Sequence, residues 1–195
     1  MATIGTFTLI TLDGVIQGPG HPDEDRRDGF DLGGWGAPYA DDVMGRFAAE
    51  GMTREGALLF GRRTYEHFSS VWPTAPQPNP FTDVLNRTQK YVVSRTLREP
   101  LPWENSTLLA GEATETIGEL KASSDRNLMI LGSGELLRSL LAAGLVDEVG
   151  LLIHPLVLGR GRRLFDDHGP VLRFEMSDPI VTTTGVIIAS YRPTR

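Results

Sequence analysis

The stretch Asn127–Leu145, NLMILGSGELLRSLLAAGL, decides how this chain reads. Asn127–Leu131 is an apolar run of strand length that stops at Gly132-Ser133-Gly134. Leu136, Leu137, Leu140 and Leu141 then recur at helical spacing until Gly144 ends the pattern. The stretch therefore predicts a strand, a tight glycine turn and an amphipathic helix. Such a turn presents backbone N–H groups at the partly positive end of a helix, a place suited to a phosphate. The same glycines also suit a compact turn that binds nothing.

Working outward, the pattern recurs. Ala57–Phe60 predicts a short buried strand, followed at once by Gly61-Arg62-Arg63-Thr64-Tyr65-Glu66 and a brief helix. Lys90–Ser94 predicts another buried strand, with Arg95 and Thr96 just after it. Thr107–Leu109 predicts a strand and Ala113–Ser123 an amphipathic helix. Upstream, Thr3–Leu12 alternates as a strand does and ends at Asp13-Gly14, with Val15-Ile16 continuing it briefly. Gln17–Gly36 is rich in Gly, Asp and Pro and predicts a long, solvated, mobile loop carrying Trp35 near its end. Ala40–Glu50 predicts a helix stopped by Gly51, and Phe81–Arg87 a second one after a loop over Thr74–Pro80. Glu148–His154 predicts a strand extended by Pro155–Leu158; Leu172–Met176 and Val186–Tyr191 predict two late strands.

Strands alternating with helices imply right-handed crossovers and a mainly parallel sheet, and late strands without helices imply an antiparallel edge. Ligands sit outside the carboxyl ends of such strands. Three turns lie there: Gly61–Thr64, Ser94–Thr96 and Gly132–Glu135. Arg62, Arg63 and Arg95 offer planar, multi-donor recognition of phosphate, although single arginines most often serve as surface charges. Asp13 is the candidate proton-handling group, with a turn-capping role as its commoner alternative. His154, before Pro155 in an apolar stretch, predicts a satisfied core or edge residue rather than a catalyst.

Composition narrows the classes. The 195 residues fit one domain, 1–195, with 40% hydrophobic and 23% charged residues. The formal charge of −6 disfavours a nucleic-acid partner. The chain has no cysteine, which excludes disulfides and cysteine-ligated zinc and fits a cytoplasmic location. No apolar run reaches membrane-spanning length, and no signal peptide is read at the N-terminus. His21, Asp23, Glu24 and Asp25 fix no coordination geometry, so no metal is expected. No nucleophile elbow and no triphosphate-binding loop ending appear.

TLDGVI at Thr11–Ile16, GRRTYE at Gly61–Glu66, VVSRTL at Val92–Leu97, LGSGELLRSLL at Leu131–Leu141 and DEVGLLIHPLVLGRGRRLF at Asp147–Phe165 stand in the order found in one superfamily. The chain resembles the reductase domain of bacterial riboflavin biosynthesis (the RibD C-terminal domain) and, more widely, the dihydrofolate reductase-like fold. That resemblance implies an α/β fold with a mostly parallel sheet of about eight strands, an antiparallel C-terminal edge and helices on both faces. It implies NADPH as hydride donor to a small heterocyclic or carbonyl substrate, and a homodimer. On the same analogy Gly61, Arg62, Arg63 and Thr64 meet the cofactor phosphates, and Ser94, Arg95 and Thr96 the 2′-phosphate. Gly132, Ser133, Gly134, Glu135 and Leu136 wrap the pyrophosphate and nicotinamide side. Asp13 and Gly14 lie by the nicotinamide and substrate, and Asp13 is the catalytic candidate; Trp35, read from its loop alone, is an anchor or part of a wall of the substrate site. The chain departs from the family in lacking the zinc ligands of a deaminase. None of Asp41, Asp42 or Glu50 aligns with the pterin-binding acid of dihydrofolate reductases, while Arg26 and Arg27 are the basic residues available for a ribosylamino-pyrimidine phosphate. A non-catalytic nucleotide-binding protein on the same fold, or a dihydrofolate reductase-type activity, are the alternatives.

Overall fold

The fold is that of a computed structural model describing residues 1–53, 56–75, 80–165, 167–177 and 179–194. The strands follow the order β4-β3-β2-β5-β1-β6-β9-β7, with β8 paired to β9. They are β1 (Ile4–Thr11), β2 (Ala57–Gly61), β3 (Lys90–Ser94), β4 (Ser106–Ala110), β5 (Leu128–Leu131), β6 (Glu148–His154), β7 (Arg173–Met176), β8 (Ile180–Val181) and β9 (Ile187–Thr194). Nine strands thus stand among the described residues where the resemblance implies about eight. The helices are α1 (Asp42–Thr53), α2 (Arg62–Val71), α3 (Pro80–Arg87), α4 (Ala113–Ser123) and α5 (Gly134–Ala142). Contacts divide the chain into two compact units, one of Met1–Gly5 with Ala49–Asp147, the other of Thr6–Ala48 with Glu148–Arg195.

In the first unit β2 pairs in parallel with both β3 and β5, and β3 with β4. Both faces of β2 are buried, as parallel strands require: Leu59 and Phe60 point opposite ways and each is fully inaccessible. Phe60 packs with Tyr65 and Phe68 of α2, Leu85 of α3, Val92 and Trp103. The Tyr65 hydroxyl accepts from the Trp103 amide at 3.1 Å, and the Trp103 ring N–H donates to Asn86 at 2.7 Å. Lys90 is the unexpected member of this core. It is fully buried, and its Nζ donates to the carbonyls of Leu85, Asn86 and Thr88 at 2.7, 3.1 and 2.7 Å, under the face of Trp103. An ammonium there caps the C-terminus of α3, where helix carbonyls lack partners. Burial pulls its pKa down to about 8, against the opposing pull of Glu104.

In the second unit β6, β7 and β8 all pair antiparallel with β9. Asp41 starts α1 by accepting from the Met44 amide at 2.8 Å, so the helix begins later than Ala40. It also runs through Gly51 to Thr53 instead of stopping there. One helical glycine is worth only about 1 kcal/mol, and Gly51 is not in a left-handed conformation that would end the helix. The strand predicted to continue through Pro155–Leu158 ends at His154. Pro155 has no N–H for a ladder, and the Leu156 amide turns back onto the His154 carbonyl at 2.7 Å.

The Gln17–Gly36 loop is also unlike its expectation. Phe30 and Trp35 are buried with Val15, and partly buried Leu9, Leu32, Leu156 and Leu158 complete a small core. That core escapes a periodicity search because its members come from irregular chain. Of the predicted Thr74–Pro80 loop, 76–79 lie outside the described residues, and α3 begins at Pro80. No helix among the described residues is long and apolar enough to cross a membrane.

Replacing Lys90 by Met leaves the α3 carbonyls buried without a donor. We expect urea unfolding to show a loss of about 3 kcal/mol with an unchanged slope. A loss below about 0.5 kcal/mol would mean the ammonium is dispensable.

Candidate functional site

The three predicted turns lie at the carboxyl ends of three adjacent parallel strands. Gly61 of β2 stands opposite Val93 of β3, and Leu59 opposite Ile130 of β5, which brings Gly61, Ser94 and Gly132 to one rim. Gly132 and Ser133 follow β5 with φ of +58° and +50°. A Cβ at Gly132 would lie 3.1 Å from the Thr64 methyl, so both conformation and space demand glycine.

Ser133 ties two turns together. Its hydroxyl accepts from the Gly61 amide at 3.0 Å, and its own amide donates to the Thr64 hydroxyl at 3.1 Å. A serine at this position usually caps its own helix. Here the hydroxyl serves the neighbouring turn, and neither N-cap residue, Ser133 of α5 or Gly61 of α2, makes a side-chain cap bond to its own helix. Two helix N-termini are thereby left with amide donors for an anion.

The arginines are placed less directly. Arg62 pairs with Glu66 at 2.9 Å and Arg63 with Glu135 at 3.3 Å. Both pairs are exposed, and such pairs contribute about 0–1 kcal/mol, so a phosphate competes with them easily. Ser94 shapes its turn by accepting from the amides of Thr96 and Leu97, each at 3.0 Å. That turn presents Arg95 to solvent, and Arg95 makes no ion pair among the described residues. Left-handed glycine and serine, two uncapped helix starts and three arginines form a donor set that fits a phosphate-rich dinucleotide such as NADPH.

In the second unit Asp13 is committed to holding loops. Its carboxylate accepts from the Thr11 hydroxyl at 2.6 Å, the Leu158 amide at 3.2 Å and the Gly159 amide at 2.8 Å, with Arg163 3.7 Å away. Burial pushes its pKa up, but the bonds from Thr11, Gly159 and Leu158 outweigh this and hold it below the ordinary value. A carboxyl held charged in this way is poorly suited to donate a proton. Gly14 has φ +83° and closes a turn by donating to the Thr11 carbonyl at 2.9 Å. Trp35 is a buried anchor whose ring N–H donates to the Gln17 carbonyl at 2.7 Å, rather than an exposed wall. Asp41, weighed against the pterin-binding acid, is a cap for Met44 and also accepts from Thr183 at 2.7 and 2.6 Å. These bonds hold its pKa at about 2.

Two features were not expected. His154 is fully buried, with Nδ1 bonded to the Leu152 carbonyl at 2.9 Å and the edges of Trp35 and Tyr39 at centroid distances of 5.0 and 5.5 Å. Its Nε2 has no hydrogen-bond partner among the described residues, so it is not the fully satisfied histidine that its apolar surroundings predict. A cavity of about 240 Å³ opens beside Gln17 and Phe30, lined by Arg27, Arg160 and Arg162. These pair with Asp25, Asp31 and Asp28 in turn, so its charge is balanced. Of the loop arginines proposed for a phosphate, Arg27 lines this cavity, while Arg26 pairs with Asp23 on the surface. Arg160 and Asp31 stand 129 positions apart and Arg162 and Asp28 134, which hides these two pairs from a local reading.

This architecture is that of the dihydrofolate reductase-like α/β proteins. The dihydrofolate reductase of Enterococcus faecalis, solved with NADP(H), superposes with a TM-score of 0.61 at 14% identity, covering 99% of this chain and 97% of the other. A family model of the RibD C-terminal domain matches residues 2–188, and the chain belongs to that family. A solved protein of Shewanella sp. PV-4, whose name assigns it provisionally to riboflavin biosynthesis, covers 100% of both chains at 25% identity and a TM-score of 0.69. YyaP of Bacillus subtilis (strain 168), an uncharacterized protein, is 28% identical over 138 residues, 69% of this chain and 72% of its own.

Burial lowers the pKa of His154 from its ordinary 6.5, against the raising effect of the Leu152 and Ile10 carbonyls. A histidine held neutral on folding contributes stability that is present above that value and lost as the pH falls through the folded value. We expect the protein to lose stability from about pH 7 to about pH 5, and His154→Asn, which keeps a donor for Leu152, to flatten that loss. An identical pH slope in both proteins, measured by urea unfolding, would rule out His154 as its source.

Proposed function

We propose that this protein is an NADPH-dependent reductase of a small heterocyclic or carbonyl compound. The observation that carries the reading is the pair of uncapped helix starts locked together by Ser133. Gly61, Arg62, Arg63 and Thr64, with Gly132, Ser133, Gly134, Glu135 and Leu136, would bind the pyrophosphate through amides, the helix dipoles and guanidinium groups. Ser94 and Thr96 would shape, and Arg95 supply, the contact to the 2′-phosphate. When bound, the cofactor supplies a hydride, and the chain supplies position and exclusion of water. Family membership and the name of the Shewanella protein support a place in riboflavin biosynthesis, where the substrate is a ribosylamino-pyrimidine phosphate. Asp13 acts in this reading as a loop clamp rather than as the acid.

A second reading has one observation in its favour. Asp13 and Asp41 are both consumed by structural bonds and held charged. The chain would then bind the dinucleotide without turning it over. NADPH oxidation with any pyrimidine, pteridine or carbonyl acceptor removes that reading.

Calorimetric titration with NADPH and NADH tests the proposal. We expect NADPH to bind much more tightly, and Arg95→Ala to weaken NADPH about 10- to 100-fold while leaving NADH unchanged. Equal losses for both nucleotides would remove Arg95 from the 2′-phosphate. Absence of binding to either would reduce the glycine turns to structural elements and end the reductase reading.

A further inference from the structure

The cavity of about 240 Å³ beside Gln17 and Phe30 has no part in the cofactor reading, and its lining belongs wholly to the second unit. Arg27, Arg160 and Arg162 bring three guanidinium groups to it. Each has an aspartate partner, but among the described residues Asp28 is the one carboxylate in the lining; Asp25 and Asp31 stand outside it. Like charges gathered round a small space repel one another, and an anion between them relieves that repulsion.

One buried side chain fixes the walls. Gln17, 4% exposed, donates from its amide to the Arg27 carbonyl at 3.1 Å and accepts from the Arg162 amide at 2.9 Å. It thereby sets the backbones of two arginines that are remote in sequence. The Asp25 carboxylate accepts from Nε of Arg27 at 2.8 and 3.0 Å and from its backbone amide at 3.1 Å, so that arginine is held in place. The other two pairs are looser. Arg160 meets Asp31 through Nη2, with side chains 59% and 68% exposed, and Arg162 meets Asp28 through Nη2. Exposed pairs of this kind are weak and yield to a better acceptor. Nη1 of Arg27 and Nε of Arg162 are buried and meet no acceptor among the described residues, while both arginines hold their aspartates through other nitrogens. A buried N–H without an acceptor is costly, and a ligand oxygen supplies one.

We propose that this cavity binds a phosphate group, as inorganic phosphate or as a short phosphate monoester. A tetrahedral oxyanion has acceptors enough for three forked guanidinium groups. The volume lies below the roughly 300 Å³ at which pockets begin to take drug-sized ligands, so a dinucleotide is excluded. Phe30 offers an apolar surface to the carbon end of a monoester. At Arg160 the anion replaces Asp31, and the two compete. The ligand is independent of the cofactor proposed for the first unit.

Two-dimensional amide NMR on the full chain tests this, with inorganic phosphate and glycerol 3-phosphate titrated separately. The amide signals of Gly29 and Gly161, both in the lining, should move with a Kd on the order of 1 mM. Arg160→Gln should weaken binding about tenfold, and Asp31→Asn, which removes the competing carboxylate, should tighten it about threefold. Asp23→Asn, which releases Arg26 outside the lining, should change neither ligand's affinity. The side chains of Arg160, Asp31 and Asp23 are exposed, and the same spectra show that each variant is folded. Tighter binding of glycerol 3-phosphate assigns the site to a monoester; equal or tighter binding of inorganic phosphate assigns it to the free ion. Signals that move only at Gly132–Gly134 place phosphate on the first unit and overturn the proposal. So do Gly29 and Gly161 signals unmoved up to about 20 mM of either ligand, or binding that Arg160→Gln leaves unchanged.

Discussion

The rim of the first unit depends on one residue in a left-handed conformation. Ser133 holds φ +50°, which for a residue with a side chain costs about 1 kcal/mol. In that conformation its amide and hydroxyl both face the turn after β2 and are satisfied there by Thr64 and Gly61. The bond satisfies the Gly61 amide and leaves the first-turn amides of α2 without a cap from its N-cap glycine. Beside it Gly132 holds φ +58° with the Thr64 methyl 3.1 Å from where a Cβ would stand, so glycine suits both the conformation and the space. The arrangement is local in space and remote in sequence: it needs β2 and β5 to be adjacent and parallel, which their register provides.

The second unit is held differently. Its long loop is fastened by side chains acting on backbone. Asp13 takes the amides of Leu158 and Gly159, Gln17 takes that of Arg162 at 2.9 Å, and Trp35 donates to the Gln17 carbonyl. Gly161 completes the fit, since a Cβ there would lie 2.8 Å from both Phe30 and Val15. These bonds explain why a stretch that reads as solvated chain buries two aromatic residues. The loop has few regular backbone bonds of its own, so polar side chains replace them.

Periodicity made the strand–turn–helix units legible. α4 has the bounds its apolar spacing gives, and β3 and β6 end where the apolar runs meet polar or proline residues. The order of motifs made the family legible. What stayed hidden depends on contacts between distant residues. The Ser133 tie spans 72 positions, and Asp13 meets Gly159 across 146. Lys90 reads as the polar start of a strand, and only the end of α3 beside it explains its burial. His154 reads correctly as buried; its unpaired Nε2 follows from two aromatic rings that no local pattern brings near it.

The titratable groups of the second unit share a direction that bears on chemistry. Asp13, Asp25 and Asp41 all have lowered pKa values; for Asp13 and Asp25 burial opposes the shift and hydrogen bonds prevail, and for Asp41 the bonds from Met44 and Thr183 dominate. Each is therefore charged at neutral pH and carries no proton to give. His154 is lowered by burial and is neutral there, with its one ring proton engaged by a carbonyl on the Nδ1 side. Reduction by hydride transfer to a C=N or C=O group also consumes a proton. On the proposed function, these shifted carboxylates, held ionised, have no proton to supply to that step. On that proposal the protein's contribution lies in binding and alignment, which matches a rim built from backbone amides, glycines and arginines rather than from acids and bases.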